Sequence, residues 1–166
     1  MEKKVYINGR SAEIERKWLI EIPDISIMES MTGYECSAIE QIYLSGSDRV
    51  RKRDYVTFVK YYRTHKENIS GISRYEEESE ITEDEYIRLS GQRLKNSRVI
   101  SKKRHCFRYH GQIIEIDLYD FWDDKATMEI ELETEDQKVF LPDFIKVIAE
   151  VTGDKDYSNY ALATKY

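Results

Sequence analysis

Cysteine is nearly missing from this chain: of 166 residues only Cys36 and Cys106 carry a thiol, with no CxxC pair and no Cys/His cluster at zinc-site spacing. That excludes a disulfide framework and a structural zinc, and predicts two plain reduced thiols. Proline is as scarce, with two residues, and glycine numbers seven. No Gly/Ser-rich linker divides the chain and no repeat of solenoid or propeller period runs through it, so a single domain over 1–166 is expected. With 40% hydrophobic residues it has enough to build a core. No apolar run reaches the length of a membrane span, and the opening MEKKVYINGR lacks an apolar signal region. A cytoplasmic protein without a membrane partner is the expectation. A basic excess is missing too: 32 acids against 26 bases leave a net charge of -6, the wrong sign for general nucleic-acid binding.

What the chain has instead is charge, in runs that alternate with apolar residues. In AEIERKWLI, Glu13, Glu15 and Lys17 share one parity and Ile14, Arg16 and Trp18 the other, which in a strand puts them on opposite faces. The same alternation sets Ile114, Ile116 and Leu118 against Glu115, Asp117 and Tyr119, and Met128, Ile130 and Leu132 against Glu129, Glu131 and Glu133. Further strands are expected over Glu35–Leu44, over RVRKR after the turn at 45–48, and over YVTFVKYYR; THKENISG reads as a polar loop. The acidic run through Glu76, Glu78 and Glu80 reads as a strand ending at Ile81, because Thr82 with Glu85 three residues on forms a capping box that starts a helix running towards Leu94. VISKKRHCFRYH and QIIEIDLYDF form a hairpin about His110-Gly111. ISIMESM closed by Gly33, DFIKVIAEV after Pro142, and DYSNYALA are predicted helices. The fold class is mainly β, with some helix.

A sheet with one wet face explains alternation, but not the segregation by sign. Glu13/Glu15, Glu76/Glu78/Glu80 and Glu129/Glu131 are acidic, whereas Arg49/Arg51/Arg53 and Lys102/Arg104 are basic. Like charges at this spacing cost stability, and a merely solvated strand mixes signs. If the strands close into a barrel, one parity lines the lumen. Acids on one wall and bases on another suit a divalent metal held by carboxylates and a polyanion held by Arg and Lys.

The order of these elements resembles the CYTH superfamily, the triphosphate tunnel metalloenzymes. The resemblance rests on Glu13-Ile14-Glu15-Arg16-Lys17 as ExExK, then Gln41/Tyr43, Arg49/Arg51, Lys60, the Arg74 to Ile81 acidic strand, Lys102-x-Arg104, Glu115/Asp117, Glu129/Glu131, and Glu150-Val-Thr with Tyr157 and Asn159. It implies an eight-stranded antiparallel β-barrel forming a closed tunnel with flanking helices. It implies Mg2+ or Mn2+ held by Glu13, Glu15, Glu129 and Glu131, with Glu80 and Asp117 as further metal residues. Lys17, Arg49, Arg51, Lys60, Lys102 and Arg104 would grip phosphates, Lys17 acting with Glu13 and Glu15 in catalysis. Glu76 and Glu78 are expected at the tunnel mouth rather than on metal, Lys155 reaching back to a mouth, and His65, His105 and His110 at surface or loop positions. The implied activity is hydrolysis of a triphosphate phosphoanhydride, with inorganic tripolyphosphate first and thiamine or nucleoside triphosphates next, in a monomer or homodimer. Cyclisation of ATP by a class IV adenylate cyclase and plain polyphosphate binding are the alternatives.

Overall fold

The computed structural model describes residues 5–7, 10–70 and 73–165. Its strands are β1 (Val5–Ile7), β2 (Arg10–Glu21), β3 (Glu35–Tyr43), β4 (Asp48–Asp54), β5 (Val59–Ser70), β6 (Ser73–Ile81), β7 (Ile100–Tyr109), β8 (Gln112–Tyr119), β9 (Lys125–Leu132) and β10 (Val147–Glu150). Every pairing is antiparallel. The hydrogen-bonded order β2-β6-β5-β4-β3-β7-β8-β9 returns to β2 through a β2–β9 pairing, so these eight strands close on themselves as a barrel. β1 and β10 pair with β2 outside the ring. Closure fixes which strands face each other. In a ring of this order β3 stands opposite β2, and β4 opposite β9.

The alternation of the sequence becomes inside and outside. Ile14, Trp18 and Ile20 of β2 join Ile114 and Ile116 of β8 and Met128, Ile130 and Leu132 of β9 in one buried cluster. The cluster is roofed by Met28 of α1 (Ile25–Glu29) and by Phe144 and Ile145. Each such side chain contributes roughly 1.5–3 kcal/mol on full burial, so this outer face holds the barrel while the opposite parity stays free to be charged. A second cluster, Ile42 and Val50 under Tyr86 and Leu89, seats α2 (Glu83–Ser90). The Thr82 hydroxyl accepts from the Glu85 amide as its cap, as the capping box predicts. At the tip of the β7–β8 hairpin His110 and Gly111 both take positive φ, 48° and 75°.

Four expectations are corrected. THKENISG is not a loop: Thr64 to Ser70 continue β5, paired to β6. A polar run reads as loop when one face of a strand must be oily, but here Thr64 and Lys66 face the lumen while His65 and Glu67 are exposed, so both faces are wet. Within YVTFVKYYR the strand starts at Val59, and Tyr55–Phe58 is a turn closed by the Tyr55 amide donating to the Phe58 carbonyl. DFIKVIAEV is not helical: Pro142 opens only a turn to Ile145, and residues 147–150 form β10 along Trp18–Ile20. The β-branched Val147 and Ile148 suit a strand, and pairing with β2 satisfies backbone groups that a helix there would leave open. The following segment is helical as expected, in a 3-10 turn (Lys155–Tyr157) and α3 (Asn159–Thr164). α2 stops at Ser90 before Gly91 rather than reaching Leu94.

Candidate functional site

The lumen is a cavity of about 840 Å³ lined by the charged parity of the barrel strands and by the 151–165 segment across one mouth. Its acidic wall is built by neighbours β2, β9 and β8. The register sets Glu15 directly opposite Glu131, Lys17 opposite Glu129, and Glu115 opposite Glu129. The basic lining comes from Arg49, Arg51 and Arg53 of β4, across the lumen, and from Lys102 and Arg104 of β7, next to the acidic β8; the two strands flank Gln41 and Tyr43 of β3. Two like-charged carboxylate pairs in direct cross-strand register cost stability unless a cation stands between or beside them.

Protein cations fill part of that role. Lys17 Nζ lies 2.8 Å from Glu129 and Arg104 lies 3.7 Å from the same carboxylate. Arg74 of β6 reaches Glu15 and stands 3.7 Å from Glu13. Lys66 Nζ bridges Glu76 at 2.6 Å and Glu13 at 3.3 Å. Arg51 donates to Glu78 at 2.9 Å, and Thr64 donates to the same oxygen at 2.9 Å. Arg49, 7% exposed, has Glu76 only at 4.0 Å, and neither its Nε nor that of Arg51 has a hydrogen-bond partner. Buried guanidinium donors without partners are costly, and these two border a cavity open to a polyanion.

The titration behaviour follows from the pairing. Burial pushes the Glu13 carboxyl up to about 7, with Lys66 opposing and a hydrogen bond and repulsion from Glu76 adding. Glu76 goes the other way: burial is outweighed by the hydrogen bond with Glu13 and by Lys66 and Arg49, which hold it well below the usual carboxylate range. For Glu129 burial is outweighed by Lys17 and Arg104, and it too stays ionised. Burial pushes the Lys102 ammonium down to about 7 although Asp117 opposes it.

The structure brings Glu13, Glu15, Lys17, Arg49, Arg51, Lys102, Arg104, Glu129 and Glu131 to one cavity and leaves three of the expected residues outside its lining. Asp117 sits behind the wall, 1% exposed, 2.6 Å from Lys102 and accepting two 2.8 Å hydrogen bonds from Arg104. Burial is outweighed by Arg104 and Lys102, which hold its pKa below the carboxylate range. It orients the basic wall. Lys60 and Glu80 pair with each other at 3.1 Å, both well exposed and beyond this cavity. Glu76 and Glu78 are part of the lining, not of its mouth alone, and Lys155 lines it from the far segment. His105 is not a surface residue: it is 3% exposed, its Nδ1 sharing a 2.9 Å hydrogen bond with the Tyr34 hydroxyl on the outer side of β7. Lys66 was missed because it lies in the run read as a loop; the parity that it shares with Thr64, once paired to Glu76 and Glu78, was the signal that places it inward.

A hard divalent cation fits the donor set by composition: Glu13, Glu15, Glu129 and Glu131 offer only carboxylate oxygens from two adjacent strands. Among the described residues no three His, Cys, Asp or Glu side chains stand grouped as a metal centre. The carboxylates face Arg74, Lys17 and Lys66 instead, so taking up a metal exchanges protein cations for it.

No protein-family model matches the chain, and no curated protein matches it. Solved structures do. The inorganic triphosphatase NE1496 superposes with a TM-score of 0.57 at 26% identity, over 96% of this chain and 96% of that one. This likeness supports the resemblance to the CYTH superfamily that the charged strands carry. A second structure of NE1496, described as a hypothetical protein, gives a TM-score of 0.56 at 28% identity over 91% of this chain and 97% of that one. A conserved hypothetical protein from Pyrococcus furiosus shares the fold, with a TM-score of 0.50 at 23% identity over 70% of this chain and 77% of that one. The charged lumen of the barrel is thus the candidate functional site. No helix among the described residues is long and apolar enough to cross a membrane.

Proposed function

We propose that this protein is a divalent-metal-dependent triphosphatase that cleaves a phosphoanhydride bond of inorganic tripolyphosphate, giving pyrophosphate and phosphate. The observation that carries the reading is the Glu15–Glu131 pair, set face to face on the seam of the barrel, with the arginines of β4 across the same lumen and the basic side chains of β7 beside β8. A polyanion binder gains nothing from those carboxylates, which repel phosphate unless a cation intervenes. Similarity to NE1496, an inorganic triphosphatase, supports the same reaction.

Glu13, Glu15, Glu129 and Glu131 are the residues that would hold Mg2+ or Mn2+. A bound divalent ion supplies charge neutralisation at the phosphoryl oxygens and a water acidified towards neutrality. Arg49 and Arg51 present guanidinium donors to the phosphate chain, and Lys102 and Arg104, oriented by Asp117, hold it from the next-but-one strand. Lys17, held by Glu129, stands on the seam where charge builds on the departing phosphate. Lys66 and Arg74 steady Glu13 and Glu15. Asp117 and Glu80 are left out of the metal set, the first committed to two cations and the second to Lys60 outside the cavity.

The test is release of phosphate from tripolyphosphate, ATP and thiamine triphosphate by the purified protein with Mg2+ or Mn2+, with cyclic AMP measured in parallel. Phosphate from tripolyphosphate that stops on chelation establishes the reading. Cyclic AMP from ATP moves the protein to the cyclase reaction, and tight tripolyphosphate binding without turnover makes it a binder.

A further inference from the structure

At the mouth crossed by the 151–165 segment, two lysines of the lumen meet one buried tyrosine. Tyr119 is the last residue of β8. Its ring lies 5.4 Å from Lys102 Nζ, and Lys17 stands within electrostatic reach of its phenol. Burial pushes that phenol above the ordinary tyrosine range against the pull of Lys17, so the hydroxyl keeps its proton at neutral pH. The proton goes to the C-terminal segment: Tyr119 donates to Oδ1 of Asn159 at 2.7 Å, while the Thr127 hydroxyl donates to the Tyr119 oxygen at 3.5 Å.

Asn159 opens α3, is half-buried and belongs to the cavity lining. A side-chain amide has an acceptor end and a donor end. With the oxygen committed to Tyr119, the Nδ2 group is left over, and it has no hydrogen-bond partner among the described residues. The segment itself is held by other contacts. Leu162 and Ala163 are buried with Tyr43 and Ile100, the Arg98 side chain and amide donate to the Leu162 and Ala163 carbonyls at 2.9 and 2.8 Å, and Thr152 accepts from the Lys17 amide at 2.9 Å. The Tyr119 hydroxyl therefore has one amide to orient rather than a helix to anchor.

We infer that Asn159 is a phosphate-binding residue of the lumen, an uncharged donor whose Nδ2 group Tyr119 turns towards the oxygens of a phosphate gripped by Lys17 and Lys102. The inference rests on the reading of the lumen as a triphosphate tunnel and gives the C-terminal segment a part in it. Tyr119 is a positioning residue that acts through Asn159. The chemistry favours an amide at this place. Lys17 and Lys102 already crowd two ammonium groups about one ring, each with a carboxylate, Glu129 at 2.8 Å and Asp117 at 2.6 Å. A third cation would add repulsion when the site is empty, whereas a neutral donor adds a directed hydrogen bond without it.

The test is calorimetric titration of the full chain with diimidotriphosphate and Mg2+, below the unfolding temperature of each variant. Asn159→Ala is expected to weaken binding about tenfold or more, the effect of losing a hydrogen bond to a charged oxygen. Asn159→Asp keeps an acceptor for Tyr119 but sets an oxygen against phosphate, and should bind more weakly still. A residue that only anchors α3 tolerates that exchange. Tyr119→Phe should lose about threefold or more, and the double variant Tyr119→Phe/Asn159→Ala no more than Asn159→Ala alone, because the hydroxyl works through the amide. Undiminished binding by Asn159→Ala or by Tyr119→Phe, tighter binding by Asn159→Asp than by Asn159→Ala, or losses that multiply in the double variant overturn the inference. Failure of the parent reading is seen separately: a wild type that binds diimidotriphosphate but releases no phosphate from tripolyphosphate is not a triphosphatase, and one that binds neither overturns both.

Discussion

Glu15 on β2 and Glu131 on β9 stand directly opposite each other across the strand pair that closes the barrel. Two carboxylates in that register weaken the seam by about 0.2–1 kcal/mol relative to a neutral pair. Glu131→Gln is therefore expected to leave the metal-free protein as stable as wild type or slightly more so, by denaturant unfolding in chelator, while lowering metal-dependent phosphate release at least about a hundredfold. A variant that keeps its activity removes Glu131 from the metal site.

Arg51 gives its free guanidinium donors to the cavity and one NH2 hydrogen bond to Glu78. Charge-assisted hydrogen bonds of this kind contribute about 1.5–3 kcal/mol. Arg51→Ala should raise KM for tripolyphosphate roughly 10- to 100-fold, and Arg51→Lys should recover only part of it because a point charge cannot replace a fork. Initial-rate kinetics over a range of substrate decide it.

The Glu13 carboxyl is raised to about 7, by burial first and by Glu76. A folded-state value above the unfolded one means that the stability contributed by the protonated form is complete below about 4.5 and is lost as pH rises through about 7. A metal competes for the same oxygens, so its affinity should climb with pH across that window and its binding should release a proton at pH 6 but much less at pH 8. Calorimetry in buffers of different ionisation enthalpy reads the proton count, and Glu13→Gln should flatten the pH trend.

Asp117 is 1% exposed and compensates both Lys102 and Arg104. Breaking a buried pair strands the remaining charges and costs about 3–5 kcal/mol. Asp117→Asn should thus lower the unfolding free energy by that order, with metal present or absent. A loss of activity without a loss of stability would return Asp117 to the metal set.

The strand pattern, the Thr82 cap, the hairpin at His110-Gly111 and most of the charged lining were legible in the chain, because alternation, capping and turn chemistry are local. The polar half of β5 was not: Thr64, Lys66 and Asn68 read as loop until the lumen supplies a wet inner face for them. Nor was β10, whose pairing with Trp18–Ile20 is a long-range contact that overrides the helical appearance of the segment after Pro142. Glu80 and Glu78 show the same limit at finer grain, since parity puts both inward while only the stagger of the barrel decides which lines the cavity and which lies beyond it with Lys60.

The amino-acid sequence by itself determined that one face of the sheet is oily and the other charged, and that acids and bases are sorted by strand, since side-chain direction in a strand follows from parity alone. Only the tertiary structure decided which acid meets which base. Closure of β2 on β9 is what sets Glu15 against Glu131 and Lys17 against Glu129, and the pairing of β7 with β8 places Asp117 behind the lining, against Lys102 and Arg104. Register around a closed ring is a property of all eight strands at once, and no single segment of the chain contains it.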